Sequence, residues 1–304
     1  MGAILDPLYY LVSGVMVSFH KVLSPLFGKD SGVTWALSIM GLVVLIRIIL
    51  IPLFVKQIKS QRALTAIQPH MKAIQTKYKD DRQKQSEEMM KLYKEHKTNP
   101  LASCFPILAQ APIFFALFTV LNGIAKNKPH GLLKDEYLTS IAQAKFFGAS
   151  ISQSFLGTTE TTVKIVTVLL IFLMSATTFT TQRQLMVKGM PKMDSSNNMM
   201  LQQQKIMLYV FPLIFAISGV NFPVGVLIYW STTNLWTWGQ QFYVIKRNPT
   251  PGSPAYEELQ RKRAHKAKSH PDQSGTVIDQ PEDGAKPSDV AGQRQQPKKK
   301  KKKK

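Results

Sequence analysis

Cysteine is almost absent from this chain of 304 residues, since Cys104 is the only one. A single thiol excludes a disulfide framework and a metal site built from several cysteines. The sequence also lacks the HExxH, GxSxG and P-loop motifs, so no zinc-protease, esterase or nucleotide-hydrolysing site is expected. We predict a protein that is not an enzyme and that uses no cofactor or metal ion.

The N-terminal region lacks the features of a cleaved targeting segment. The first twenty residues contain no Lys or Arg and one acidic residue, Asp6, so the basic start of a secretory signal is missing. An Arg-rich organellar transit peptide is missing as well. We therefore expect a protein of the bacterial cell membrane.

Charged residues are absent from three long runs, which are residues 101–125, 165–182 and 206–245. About 20 apolar residues at 1.5 Å per residue cross a hydrocarbon core of about 30 Å. The run 206–245 would measure about 60 Å as one helix, so it must contain two spans. The break is marked by turn-forming residues near its middle: Gly219, Asn221, Pro223 and Gly225.

These runs and one more apolar stretch predict an all-α polytopic membrane protein with five transmembrane helices. The predicted spans are about 34–55, 101–125, 165–182, 206–220 and 223–245. They form a core at 34–247, which follows an extracytoplasmic amphipathic segment at 1–33 and precedes a tail at 248–304. Pro7 and Pro25 bracket the apolar stripe of residues 5–27, so we expect a helix in the membrane interface, with His20 in solvent.

A basic segment at 56–100 follows the first span and predicts an antiparallel helical hairpin outside the membrane. Apolar residues recur at steps of three and four, as in a heptad seam, and Asp80-Asp81 interrupts the pattern. Each arm should be a short helix joined to the other by a tight turn. The hairpin residues that we single out are Met71, Tyr78, Met89, Met90 and Tyr93.

The distribution of Lys and Arg predicts the orientation of the spans. Eleven lie in 56–100, four in 183–205 and sixteen from Lys246 on, against two before the first span and five in 126–164. The N-terminus is therefore expected outside, and the hairpin and C-terminus in the cytoplasm. The composition of 248–304 predicts disorder. The tail could bind ribosomal RNA or anionic lipid, because both carry phosphate charge that attracts Lys and Arg. The candidate contact residues are Lys262, Arg263, Lys298 and Lys304.

Arg47 is the one charged residue within the predicted spans, near the middle of the first. A charge at the bilayer centre costs about 2.5–3.5 kcal/mol on insertion scales, and no span contains an Asp or Glu with which it could pair. We infer that it faces a water-filled cavity. Polar residues of other spans could line this groove with it, although each alone is more often a contact between helices. These residues are Gln110, Ser175, Thr177, Thr178, Thr181, Ser231, Thr232, Thr233 and Asn234, of which we single out Gln110, Thr178, Ser231 and Asn234.

Several ordered motifs carry a resemblance to a known family. They are Ile67-Gln68-Pro69, Met89-Met90-Lys91-Leu92-Tyr93-Lys94, Asn99-Pro100-Leu101, Cys104-Phe105-Pro106, Gln110-Ala111-Pro112-Ile113-Phe114, Phe211-Pro212, Phe222-Pro223-Val224-Gly225-Val226-Leu227-Ile228-Tyr229-Trp230, Asn234 and Gln240-Gln241. Over about residues 34 to 247 the chain resembles the YidC/Oxa/Alb membrane protein insertases. It lacks the extra N-terminal span and large periplasmic domain of proteobacterial members and the lipoprotein signal of many Gram-positive ones, so we expect an actinobacterial type.

The resemblance implies a five-helix core, a cytoplasmic hairpin and a groove open to cytoplasm and lipid. It also implies that Arg47 is the groove arginine and that Gln110 and Trp230 lie on the groove side. We expect an insertase and chaperone whose partners are nascent membrane proteins, the ribosome, the Sec translocon and anionic lipids.

Two other classes of function stay open at this point. A small-solute or ion transporter could use the same charged cavity, although no inverted repeat or coupling carboxylate is visible. A passive scaffold that anchors ribosomes through its tail would not need Arg47.

Overall fold

The computed structural model describes residues 2–96, 98–99, 105–126, 128, 130–189 and 198–269. The described residues up to Gln260 form one compact unit, and those from Arg261 to Ser269 belong to a second. Cys104, the connector 190–197, Lys298 and Lys304 lie outside the described residues.

The described chain is mainly helical, in agreement with the predicted fold class. The helices are α1 (Gly2–Phe27), α2 (Gly32–Ile49), α3 (Ile51–Ala66), α4 (Gln68–Lys77), α5 (Arg82–Glu95), α6 (Phe105–Ala125), α7 (Asp135–Gln143), α8 (Thr161–Gln184), α9 (Asn198–Gly219), α10 (Val224–Arg247) and α11 (Pro254–Ser269). A π-helical segment, Leu185–Gly189, continues α8, and two short strands, β1 (Lys145–Phe146) and β2 (Ala149–Ser150), form an antiparallel hairpin.

Each later uncharged run coincides with helices, although α9 begins eight residues before 206 and the π-helical continuation of α8 ends seven residues after 182. The segment 34–55 is divided between α2 and α3 at Leu50. Pro52 causes the break, because it has no N–H to donate to the carbonyl of Ile48 and its ring crowds that carbonyl. Arg47 therefore lies in the last turn of α2, and its predicted position in the middle of one long helix is wrong.

Three segments of the described chain are long and apolar enough to cross a bilayer, namely Leu5–Phe27, Gly32–Ile49 and Thr161–Gly189. Gln110–Ile124 and Leu208–Gly219 are shorter apolar stretches. Helix α10 is not among them, and it contains many polar or amphipathic residues, among them Ser231, Thr232, Asn234, Gln240 and Gln241. The number of five spans stays a prediction.

The first helix differs from its prediction in two ways. Both prolines expected to bracket it lie inside α1, near its ends, where few helical hydrogen bonds are lost. His20 is buried and not solvated: its ring stacks on Trp35, with 4.1 Å between centroids, and its Nε2 lies 2.7 Å from the Lys29 carbonyl. Ser13 Oγ accepts a hydrogen bond from the Leu132 N–H. Helix α1 thus contacts the start of α2 and the segment after α6.

The predicted hairpin at 56–100 contains three helices instead of two. Its first arm is interrupted at Ile67, because Pro69 in the first turn of α4 cannot donate to the Thr65 carbonyl. Helices α4 and α5 pack together across the turn at 78–81, and Asp81 Oδ1 accepts a hydrogen bond from the Lys84 N–H at the start of α5. The assignment of this pair to a cytoplasmic hairpin stays a prediction.

The C-terminal region also departs from its prediction. Residues 254–269 form α11, so disorder is the wrong prediction there. Its sequence, PAYEELQRKRAHKAKS, begins with a proline, which suits the first helical position, and is rich in Ala, Glu, Lys, Arg and Leu, which favour helix.

The segment between α6 and α8 caps α10 from outside the helix. Pro223 precedes α10 without a side-chain cap. The N–H groups of Val224 and Gly225 donate instead to the carbonyls of Gln153 and Ile151, each at 2.9 Å. These contacts satisfy donors that a helix leaves without internal partners.

The close approach of the loop to Gly225 generates a prediction with a control in the same helix. A Cβ at Gly225 would lie 2.9 Å from Ile151 Cγ2, whereas a Cβ at Gly239 would meet nothing within 4 Å. Gly225→Ala should lower the free energy of unfolding in detergent by about 1–3 kcal/mol, as overpacking does. Gly239→Ala should raise it by about 0.5–1 kcal/mol because alanine loses less entropy in a helix. Equal effects of both substitutions would contradict this account of the cap.

Candidate functional site

Arg47 lies in the last turn of α2 and is buried, with 9% of its surface exposed. Its guanidinium carbon stands 5.3 Å from the ring centroid of Phe54, in the first turn of α3. A cation is favoured at the C-terminal end of a helix by the helix dipole, and the aromatic face adds a weaker attraction. Within the described residues Arg47 has no ion pair with a carboxylate.

Gln110 of α6 and Tyr229 of α10 complete a polar cluster with Arg47. The Gln110 Nε2 donates to the Tyr229 hydroxyl at 3.3 Å, and Tyr229 lies close enough to Arg47 for an electrostatic interaction. We call these three residues the Arg47 cluster. It brings together side chains of α2, α6 and α10, while the assignment of Arg47 and Gln110 to a substrate groove stays a prediction.

The Arg47 cluster has unused hydrogen-bonding capacity. Gln110 Oε1 is buried without a hydrogen-bond partner among the described residues, and the hydroxyl of Thr233, one helical turn after Tyr229, lies on the same face of α10. Five guanidinium N–H donors of Arg47 add to this capacity. Because buried polar atoms are costly without partners, the cluster suits water or the polar groups of a bound peptide.

Trp230 lies in an aromatic cluster and not beside Arg47. It is next to Tyr229 in sequence, so on a helix it points about 100° away. Its ring centroid is 5.6 Å from that of Phe114, 5.2 Å from that of Phe215 and 5.3 Å from that of Phe222. These contacts join α6, α9 and α10, and Phe114 also lies 6.2 Å from the ring of Tyr229 in the Arg47 cluster.

The other predicted groove residues are not joined to Arg47 by hydrogen bonds. Ser231 is buried against α8, where its hydroxyl donates to the Leu170 carbonyl at 3.5 Å. Thr178 and Asn234 are half-buried, and in the described chain neither bonds to the Arg47 cluster. Their assignment to one groove stays a prediction.

The sequence-based prediction included Thr233 among the polar residues of the last span but missed Tyr229 and Phe54. A tyrosine and a threonine at spacing i, i+4 on α10 present two hydroxyls on one helix face, which is a usable signal in an uncharged run. Phe54 lies seven residues after Arg47 and thus on the same face of a helix, but in an apolar run this spacing is too common to single out one aromatic residue.

An apolar groove of about 500 Å³ lies between α3 and the second half of α10. Phe54, which contacts Arg47, belongs to its lining, so the groove adjoins the Arg47 cluster. Other lining residues are Val55, Ile58, Leu235, Trp236 and Tyr243. An apolar surface therefore lies next to a buried cation.

The hairpin residues have ordinary environments. Met71, Tyr78, Met89 and Tyr93 are half-buried, Met90 is exposed, and the Lys77 ammonium lies 5.2 Å from the ring centroid of Tyr78. Lys262 and Arg263 are exposed on α11.

Comparison with known proteins gives consistent matches. The family model described as 60Kd inner membrane protein matches residues 26–251. The membrane protein insertase YidC of Streptomyces avermitilis is 55% identical over 271 residues, which are 85% of this chain and 63% of the relative. The protein of that name from Tropheryma whipplei is 37% identical over 277 residues, covering 86% of this chain and 89% of the relative.

A solved structure adds a likeness in fold. It is described as an active YidC insertase crystal structure with the first transmembrane domain resolved. The TM-score is 0.50 at 26% identity, over 77% of this chain and 46% of that one. The chain thus spans less than two thirds of the Streptomyces relative and less than half of the solved chain.

The match to the family model covers most of the chain, and the identity to both relatives exceeds 30%. The resemblance to the YidC/Oxa/Alb proteins is confirmed, including that to an actinobacterial relative. The chain belongs to the family of 60Kd inner membrane proteins, the group of the membrane protein insertases YidC.

Proposed function

We propose that this chain is a membrane protein insertase that receives a nascent chain at the Arg47 cluster and releases its apolar segment into lipid. The observation that carries the proposal is a buried arginine, without a carboxylate partner in the described chain, next to an apolar groove. The names of the relatives agree with this function and give no support to a transporter.

The charge of Arg47 supplies the attraction for a polar or acidic part of a nascent chain. Removing an ion from water costs free energy. The approach of an acidic side chain or a backbone carbonyl to Arg47 therefore lowers the free energy of its buried charge. Gln110 and Thr233 offer further hydrogen-bond partners for the peptide backbone. These interactions thus offset part of the free-energy cost of moving the polar part of a substrate from water into the membrane.

The apolar surfaces provide a route for the rest of the substrate. The groove between α3 and α10 adjoins Arg47, and α8 exposes large apolar residues along its outer face: Ile165, Val168, Leu169 and Phe172. An apolar segment that leaves the groove along such helices buries its surface in lipid, which is favourable by about 25 cal/mol per Å². No nucleotide or ion gradient is required for this step.

The orientation follows from the charges between the helices. We place the N-terminus outside, and the hairpin α4–α5, the connector 183–205 and the C-terminal tail in the cytoplasm, because these segments are the richest in Lys and Arg for their length. The Arg47 cluster would then open toward the side from which nascent chains arrive. A hairpin with half-buried methionines offers an adaptable surface at that entrance.

Substitution of Arg47 tests this mechanism. A charge-assisted hydrogen bond is worth about 1.5–3 kcal/mol, so Arg47→Ala should slow insertion of a single-span substrate with an acidic N-terminal tail about tenfold to hundredfold. Arg47→Lys should retain much of the rate because it keeps the charge but loses the planar fork. The measurement is protease protection of the substrate in reconstituted liposomes.

Two controls make the result specific. A substrate with a neutral tail and a more apolar span should be affected less by Arg47→Ala. Arg183→Ala removes an arginine that is also in the last turn of a helix but is exposed, and it should leave both substrates unaffected. If Arg47→Ala inserts both substrates as fast as the parent protein, Arg47 is not the working charge and a scaffold role gains support.

We further propose that the basic tail recruits partners by phosphate contacts. The partner that we test is ribosomal RNA, and the alternative is anionic lipid. Contact with the Sec translocon is a separate proposal that rests on the family resemblance alone. Lys262 and Arg263 lie on α11, and Lys298 and Lys304 belong to the terminal run of seven lysines. Each neutralised phosphate adds to the salt dependence of binding.

Deletion of 248–304 should weaken co-sedimentation with ribosomes, and the remaining binding should fall steeply as salt rises. Alanine at Arg261, Lys262 and Arg263, compared with deletion of 298–304, separates the contribution of α11 from that of the lysine run. Unchanged ribosome binding after the full deletion, with loss of binding to vesicles of phosphatidylglycerol, would assign the tail to lipid.

A further inference from the structure

The turn between β1 and β2 contains an unfavourable residue. Phe147 and Gly148 have φ angles of +50° and +79°, which a two-residue hairpin turn of this kind requires at both positions. Asn, Asp and Gly adopt this conformation readily, whereas a bulky side chain is strained in it. Within the described chain Phe147 is the one residue other than glycine with a positive φ.

The side chain of Phe147 has little contact with the rest of the protein. It is 79% exposed, and its ring meets the neighbouring Phe146, with 4.5 Å between centroids. Phe146 is half-buried against the core. Packing within the chain therefore offers little compensation for the backbone strain or for an aromatic ring in water.

The position of the hairpin indicates what covers the ring. A Cβ at Gly32, the first residue of α2, would collide with the Lys145 carbonyl and the Phe146 nitrogen of β1. A Cβ at Gly148 would lie 3.1 Å from Thr162 Cγ2 in the first turn of α8. The hairpin thus lies against the beginnings of two helices that are long and apolar enough to cross a bilayer.

The beginnings of these helices mark the depth of the membrane boundary. Val33 and Ile165, one and four residues after the respective starts of α2 and α8, expose apolar side chains outward. Lys145, in the same hairpin, is exposed. Segments that lie in the membrane interface combine apolar side chains such as Phe with Lys or Arg, which stays at the level of the headgroups.

We propose that the β1–β2 hairpin is a lipid anchor, with Phe147 inserted at the headgroup boundary of the leaflet where α2 and α8 begin and Lys145 directed to lipid phosphate. The bilayer covers the ring that the protein leaves exposed. This inference requires that α2 and α8 span the membrane and is independent of the insertase activity.

The anchor has a structural consequence for the functional site. The chain leaves β2 at Ser150 and continues directly into Ile151 and Gln153, whose carbonyls accept the first N–H groups of α10. Helix α10 carries Tyr229 of the Arg47 cluster. One loop therefore joins the lipid contact to the cap of the helix that supports the site.

The test places a reporter at the tip of the hairpin in vesicles of phosphatidylcholine and phosphatidylglycerol. Fluorescence of Phe147→Trp is measured after subtraction of the parent protein, which has four tryptophans. Phosphatidylcholine brominated at a shallow or a deep chain position serves as quencher, and iodide as the aqueous quencher. The matched aqueous control is Asp80→Trp, in the exposed turn between α4 and α5.

The proposal expects blue-shifted emission at 147 relative to the control, stronger quenching by the shallow bromolipid than by the deep one, and reduced quenching by iodide. Emission and iodide quenching equal to those of Asp80→Trp would overturn it, and so would maximal quenching by the deep bromolipid. If the tryptophan variant does not fold, Phe147→Cys in a Cys104→Ala background, labelled with an environment-sensitive dye, gives the same comparison.

Discussion

The structure depends on accommodating one buried cation that has no carboxylate partner in the described chain. Arg47 lies at the end of α2 because Pro52 breaks the helix shortly after it. The ring of Phe54, in the first turn of α3, lies against its guanidinium. Isolated charge is unstable in an apolar medium, so polar groups and water must reach it. The Gln110–Tyr229 hydrogen bond and the buried oxygens beside it supply part of this polar environment.

Other parts of the fold hold the Arg47 cluster next to a cluster of aromatic side chains. Trp230 and its phenylalanine neighbours join α6, α9 and α10, and Phe114 of this group also lies 6.2 Å from the Tyr229 ring, measured between centroids. The loop after β2 caps the same helix through two backbone hydrogen bonds. A helix fixed at its start and along one face can present Tyr229 toward Arg47 with little freedom to turn away.

Sequence patterns predict the parts of this arrangement that are local. The uncharged run 165–182 lies within α8 because apolar length alone defines such a helix, and Arg47 is conspicuous as a lone charge. The break at Leu50 was missed because the proline in an apolar run is compatible with a kinked helix as well as with an end. Tyr229 was missed for another reason: its meeting with Gln110 depends on how α6 and α10 cross, which no local pattern encodes.

The central claim is that the Arg47 cluster is hydrated from the hairpin side while it lies within the membrane. The most direct measurement is the reaction of Gln110→Cys, in a Cys104→Ala background, with a charged, membrane-impermeant thiol reagent added to either side of vesicles. The account predicts reaction from the hairpin side alone, with Phe172→Cys on the lipid-exposed face of α8 unreactive. Equal lack of reaction at positions 110 and 172 would contradict it.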